Sequence, residues 1–284
     1  MNLKSPGDRS NFLSDGYGIT ATEPWFKVKV EVIQSYLRAF VINVSSQANE
    51  IIFVDLFSGN GLYSTGSQKE VFPGPAIRAL LSDFPISHWI LCERDPESLE
   101  LLYKRVDKLS HRKNILILDT ELSQLSDKFR KVITSPRRGH KVAVFCLVDP
   151  FNFDIPLTTI DSLASLGFSF LMPFTFVLNE RFNYKHYLRE HPERLLRYLG
   201  VSNFERMSAV HNNTQFYKRL VRMYQNRMLV MGLNSAMSMH KLESRLMNLP
   251  AYYMGLFVRQ FSAKSIQEDV NLSGQLQIEL LDDA

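Results

Sequence analysis

The stretch Ile51-Ile52-Phe53-Val54-Asp55-Leu56-Phe57-Ser58-Gly59-Asn60-Gly61-Leu62-Tyr63 passes from a β-branched apolar run into two glycines within thirteen residues. Ile51–Leu56 is short and apolar on both faces, the pattern of a strand buried in a parallel sheet. Gly59 and Gly61 end it. Two glycines let the backbone turn tightly and approach a ligand with no Cβ in the way. Asp55 stands at the strand end as an acceptor, and Phe57 lies inside the loop. The segment reads as a strand running into a ligand-binding loop.

The chain around it alternates in the same style. Upstream, Thr22-Glu23-Pro24-Trp25 reads as a helix start, with Thr22 as cap and Pro24 in the first turn. Val28, Val32, Ile33, Tyr36, Leu37 and Phe40 then recur at helical spacing. Downstream come a helix at Ala76–Leu81, a strand at His88–Cys92 and a helix from Pro96 to about Leu109. A strand at Asn114–Leu118, a helix at Leu122–Ile133 and a strand at Val142–Val148 follow. A helix at Thr158–Leu166 and a fifth strand within Phe168–Leu178 complete the series. Strand and helix in alternation predict an α/β fold with a doubly wound, Rossmann-like parallel sheet and right-handed crossovers. Residues 179–228 are charged and helical in pattern, and read as a helical insertion or lid. Leu229–Lys241 and Ala251–Phe261 are strand candidates for a C-terminal antiparallel hairpin. The expected organisation is a flexible arm at 1–21, a core at 22–178, the insertion at 179–228 and completing strands at 229–284.

Composition sets outer bounds. The chain has 284 residues, 45% hydrophobic and 22% charged, ordinary for a globular protein. No apolar run reaches the roughly 18 residues of a membrane span, and Met1–Phe12 lacks the apolar core of a signal peptide. These features predict a cytoplasmic protein with no membrane partner. Cys92 and Cys146 lie in apolar, strand-like runs and read as buried small hydrophobes, with no second ligand at metal spacing. The net charge is +4. The basic residues are clumped at Lys104–Lys113, Lys128–Lys141 and Arg181–Arg197, which fits either solvated helix faces or a phosphate-binding surface. Arg181, Lys185 and Arg189 carry this choice on one expected helix.

In open α/β sheets ligands bind beyond the carboxyl ends of the strands, and acids fall there repeatedly. Glu93 follows the second strand, where a carboxylate can accept both hydroxyl protons of a ribose; a surface ion pair with Arg94 or Lys104 is the plain alternative. Asp119 follows the third strand and suits an adenine amino group or a helix cap. Asp149-Pro150-Phe151-Asn152-Phe153 follows the fourth. An acid followed by proline and aromatics suits a planar amine, held by hydrogen bonds and by stacking worth roughly 1–3 kcal/mol per base. An ordinary Asp-Pro turn with core phenylalanines would look the same. Trp25 and Tyr36 read as core, and Lys29 either as a surface lysine or as a group pointing to the ligand crevice.

Together these strand ends resemble the class I, S-adenosylmethionine (SAM)-dependent methyltransferase pattern. Asp55-Leu56-Phe57-Ser58-Gly59-Asn60-Gly61 is similar to the DxFxGxG loop of nucleic-acid base methyltransferases. Asp149–Phe153 is similar to the DPPY motif of amino-methyltransferases, but departs from it at Phe151 and Phe153. No Pro-Cys pair suggests cytosine C5 chemistry. A closer resemblance is to the three-Cys-motif partner protein family, through Trp25…Lys29…Tyr36-Leu37…Phe40, the loop, Gly74-Pro75-Ala76, Asp149-Pro150-Phe151 and Tyr252-Tyr253…Leu256-Phe257 with Lys264. That resemblance implies a methyltransferase-like fold and a separate partner bearing a three-cysteine cluster, similar to radical-SAM enzymes.

Three functions are therefore expected in competition. The first is a SAM-dependent methyltransferase acting on nucleic acid, DNA or RNA. Asp55, Phe57, Gly59, Gly61, Glu93 and Asp119 would hold the cofactor, and Asp149 and Phe151 would position the acceptor, with no metal. The second is a non-catalytic or co-catalytic partner of the cysteine-cluster protein. The third is a metal-dependent nuclease using Asp55, Glu93, Asp119 and Asp149.

Overall fold

The computed structural model describes residues 15–66, 70–109, 114–119, 121–133, 139–150, 152–176, 178–204, 210–236, 240–241 and 252–282. Strand β1 is Thr20–Thr22, and helix α1 is Trp25–Val44. Strands β2 (Glu50–Asp55), β3 (Leu62–Thr65) and β4 (Glu70–Pro73) lead into α2 (Pro75–Leu80). Next come β5 (His88–Cys92), α3 (Pro96–Leu109), β6 (Ile115–Leu118), α4 (Leu125–Val132) and β7 (Val142–Leu147). Then follow α5 (Leu157–Ser165), β8 (Phe168–Phe174), α6 (Pro192–Leu199) and α7 (Asn213–Val230). The chain closes with β9 (His240–Lys241), β10 (Tyr253–Phe257) and α8 (Ala263–Asp282).

The main sheet has seven strands in the order β6-β5-β2-β7-β8-β10-β9. The pairs from β6 to β8 are parallel, while β10 runs antiparallel to both β8 and β9. This is the doubly wound, mostly parallel sheet with a terminal antiparallel hairpin that the sequence predicts. β2 is central, and Ile51–Val54 on it are buried on both faces, which is why its residues do not alternate. Helices α2 and α8 each contact α1; α4, α5, α6 and α7 form a second continuous set.

Four sequence expectations change. Residues 15–22 are not a free arm, because β1 pairs in parallel with β3. Helix α1 starts after Pro24 with no side-chain cap, and Thr22 ends β1 instead of capping. Leu229–Val230 end α7, so no strand begins there, and α8, which the sequence reading missed, follows β10. Helix α7 is a packed layer rather than a lid. Its Phe216, Leu220, Tyr224 and Met228 are fully buried. Among the described residues, no helix is long and apolar enough to cross a membrane.

Candidate cofactor crevice and its aromatic wall

Register places the site. Asp55, the last residue of β2, lies level with Leu91 of β5 and Leu147 of β7. Glu93 and Asp149 each stand two residues further along, beyond the carboxyl edge. The chain leaving β2 leans toward β5, with Ser58 N–H donating to Cys92 O at 3.0 Å. Gly59 and Gly61 have φ of +60° and +90°, left-handed values that favour glycine. A Cβ on Gly61 would come within 2.8 Å of Ile77 Cγ1, so the loop presses onto α2.

Carboxylates hold this loop. Asp55 is buried and its Oδ1 accepts from Phe57 N–H at 3.0 Å. Glu93 Oε2 accepts from Gly59 N–H at 2.8 Å, and its Oε1 accepts from Arg94 and Asp95 N–H, each at 2.8 Å. The surface-pair alternative for Glu93 is therefore absent among the described residues: Arg94 meets Glu121 and Lys104 meets Glu100. Three accepted bonds leave one of a carboxylate's roughly four acceptor positions. Asp119 lies one strand further out and is exposed, its carbonyl accepting from Lys128 Nζ at 2.9 Å. Phe151 lies outside the described residues. Phe153 is a core ring against Phe176, Tyr187 and Tyr198.

The group facing Asp149 is Lys29, for which the sequence reading preferred a surface position over one in the crevice. Lys29 is 4% exposed, and its Nζ lies 2.7 Å from Asp149 Oδ2. The same ammonium sits 4.1 Å from the Phe26 ring centre and 5.6 Å from that of Trp25, a cation–π arrangement. The signal was present: Lys29 shares the helix face of Trp25, Ile33, Tyr36 and Phe40, and a lysine on an apolar face needs a buried partner. Around it runs a wall of rings. Trp25 contacts Tyr252 at 5.1 Å, Tyr252 contacts Tyr217 at 6.1 Å, and Phe26 contacts Tyr63 at 4.4 Å. Tyr217 Oη donates to Phe174 O at 2.7 Å and accepts from Tyr253 N–H at 2.9 Å, bridging β8 and β10 at the same edge.

The carboxylates Asp55, Glu93 and Asp149 are close enough to act on one another electrostatically. Burial drives the Asp55 carboxyl up to about 7; the Phe57 N–H opposes this, and the charges of Asp149 and Glu93 add to it. Burial likewise pushes the Tyr63 hydroxyl upward, helped by Asp149, Asp55 and Glu93. An acid raised on folding holds its proton more tightly in the native state, so it withdraws stability as pH rises from about 4 through 7. At roughly 1.4 kcal/mol per unit, this reaches up to about 4 kcal/mol. Asp55→Asn should therefore be more stable than the parent near pH 8, with the advantage vanishing near pH 4. Urea melts at both pH values test this, and an offset that does not change with pH would refute it.

Asn60 and Arg105 close the far side. Arg105 is buried, and its Nε and Nη2 donate to the two Asp15 oxygens at 2.8 and 3.1 Å. Its Nη1 donates to Asn60 O and Oδ1 at 2.6 and 2.9 Å, and its Nη2 also donates to Gly18 O at 2.8 Å. The Arg105 guanidinium holds the Asp15 carboxyl below the usual range. One side chain of α3 thus ties residues 15–18 to the glycine loop.

Among the described residues, no three His, Cys, Asp or Glu side chains gather as a metal site. Asp55, Glu93 and Asp149 face N–H groups and an ammonium, a donor set suited to hydrogen bonds rather than a shared divalent cation.

No protein-family model matches this sequence, and no curated protein matches it. Among solved structures it is similar to Trm1 from Pyrococcus horikoshii in complex with S-adenosyl-L-methionine. That pair is 13% identical over 84% of this chain and 57% of Trm1, with a TM-score of 0.45. It is also similar to LPL1258 from Legionella pneumophila, at 11% identity over 82% of this chain and 85% of that one, TM-score 0.44. A third is TYW2 from M. jannaschii in complex with AdoMet, 10% identical over 80% and 75% of the two chains, TM-score 0.34. The chain spans little more than half the length of Trm1. At such scores these likenesses carry no argument about activity.

Proposed function

We propose that this chain is a SAM-dependent methyltransferase whose acceptor is a planar, amino-bearing base. The observation carrying this reading is the bond from Gly59 N–H to Glu93, which joins the glycine loop to the second strand's carboxylate as one wall. The residues fit the cofactor. Gly59 and Gly61 keep the loop free of Cβ atoms, and Glu93 retains an acceptor position for a ribose hydroxyl. Asp55 supports the loop from beneath, and Phe57 lies on it. Asp119 would meet the outer end of a nucleoside. SAM would supply an already activated methyl group, so the protein's task is alignment, which can contribute up to roughly 7–11 kcal/mol. Asp149, with Lys29 beside it, would accept from the acceptor's amino group, and Phe151 would contact its ring.

Calorimetry with SAM and its demethylated product tests this. Both should bind, and Glu93→Ala should weaken binding by ten- to a hundredfold, the worth of about 1.5–3 kcal/mol for hydrogen bonds to a charged group. No binding of either ligand at millimolar concentration would sink the reading.

One observation favours a second reading. Lys29 already occupies one oxygen of Asp149, which suits a non-catalytic or co-catalytic partner of a cysteine-cluster protein. The blocks carrying the three-Cys-motif partner resemblance do meet here, since Trp25 touches Tyr252 and Lys29 touches Asp149. Methyl transfer to oligonucleotides by the isolated chain would decide against this second reading.

A further inference from the structure

The space freed by the loop glycines is already filled. A Cβ on Gly61 would meet Ile77, and one on Gly59 would lie 2.9 Å from the Tyr63 hydroxyl oxygen and 3.9 Å from Cζ of the same ring. The tip of Tyr63 therefore covers the face of Gly59 that the missing side chain would otherwise leave open to a ligand. Gly74 completes the seat. A Cβ there would collide with Tyr63 Cε2 and lie 2.9 Å from Cδ2. Gly74 has φ of −70°, which any residue adopts, so what its missing side chain provides is room for the ring.

Little fixes the ring in that seat. Tyr63 packs on Phe26 at 4.4 Å and on Phe72 at 6.1 Å between ring centres, but its hydroxyl has no hydrogen-bond partner among the described residues. Burial and the charges of Asp149, Asp55 and Glu93 keep that hydroxyl protonated, so no ionic attraction holds it either. A hydroxyl set against a glycine without a partner forgoes the hydrogen bonds that water would give it. The backbone cannot follow the ring outward. Tyr63 lies in β3, level with Phe72 of β4 on one side and with Thr20 of β1 on the other. Movement is confined to the rotamers of the side chain. The residue is only half-buried, so a path into solvent exists.

We propose that Tyr63 is the gate of the glycine loop: its ring on Gly59 excludes a ligand from that face, and a ligand gains the loop only when the ring swings off. That the ligand is SAM rests on the function proposed above; the seat of the ring on Gly59 and Gly74 does not. A site that is competent for part of the time binds more weakly by that fraction, so the gate sets the affinity of the crevice.

Calorimetry with SAM on the parent and on Tyr63→Thr tests the gate. Threonine suits a strand and is too short to reach Gly59. Tyr63→Thr should bind SAM at least about threefold more tightly, as expected for a gate shut about two-thirds of the time. If the parent binds SAM and the variant binds it equally or more weakly, the gate is overturned and the methyltransferase reading stands; weaker binding would make Tyr63 a contact of the ligand. A second measurement needs no ligand. In urea melts Gly59→Ala should lower the midpoint, through backbone strain at φ of +60° and through collision with the Tyr63 hydroxyl. In the Tyr63→Thr background only the strain remains, so the drop should be at most about half as large. Equal drops in the two backgrounds would show that the ring does not sit on Gly59, and would overturn the gate. No SAM binding by either protein would remove the methyltransferase reading and the gate with it, and a reduced drop would then keep the seated ring alone.

Discussion

Lys29→Met should destabilise the fold by about 3–5 kcal/mol, because it strands a carboxylate that has almost no access to water. Lys29 and Asp149 lie 2.7 Å apart with side chains 5% and 10% exposed. The cost should come from the abandoned acid rather than from lost packing, since methionine fills much of the lysine stem's volume. The double variant Lys29→Met/Asp149→Asn should therefore recover most of the loss, a non-additivity that urea melts on all four members of the cycle would reveal. If the two single losses simply add, the pair does not act as a unit. The double variant also separates structure from chemistry. It should fold, yet fail to transfer a methyl group, because Asp149 is the acceptor-facing group in the proposed function.

The second large effect concerns Arg105. Arg105→Met removes bonds to Asp15, Gly18 and Asn60 at once. Asp15 can turn to water, but the buried side of Asn60 cannot, so the expected loss is about 2–4 kcal/mol. Hydrogen exchange should show residues 15–22 losing protection while β2 and β7 keep theirs. Uniform loss of protection would mean that Arg105 supports the whole core instead of a clamp. Acidification should act in the same direction. Arg105 holds the Asp15 carboxyl low, so the stabilisation from this pair is present above the unfolded value near 4 and is lost as pH falls through the lowered folded value.

The parallel part of the sheet was readable because each of its strands is a short apolar run soon closed by a polar residue, and each crossover helix has its own periodicity. His88–Cys92 and Pro96–Leu109 carry enough local information to fix their bounds. The hairpin of β3 and β4 was not readable. Its strands are four residues each, and their pairing is completed by β1 from far upstream. Helix α8 was missed although Ala263, Ile266 and Val270 stand at helical spacing, because the segment was taken with the completing strands. The site divides in the same way. Glycines and strand-end acids are local signals. The Lys29–Asp149 contact joins residues 120 positions apart in sequence, and only the juxtaposition of α1 with β7 creates it. Arg105 looked like one more cation in a basic helix, because the acid it meets lies in the N-terminal segment.

The two cysteines give the molecule a built-in clock. Cys92 and Cys146 are free and buried on the strands flanking β2, and burial pushes both thiols upward. Only the thiolate reacts at a useful rate, so neither thiol is available to a water-soluble reagent while the central sheet is closed. The labelling half-time at each cysteine then counts openings of the strands beneath the glycine loop under fully native conditions. Ligands that grip the loop should lengthen that half-time.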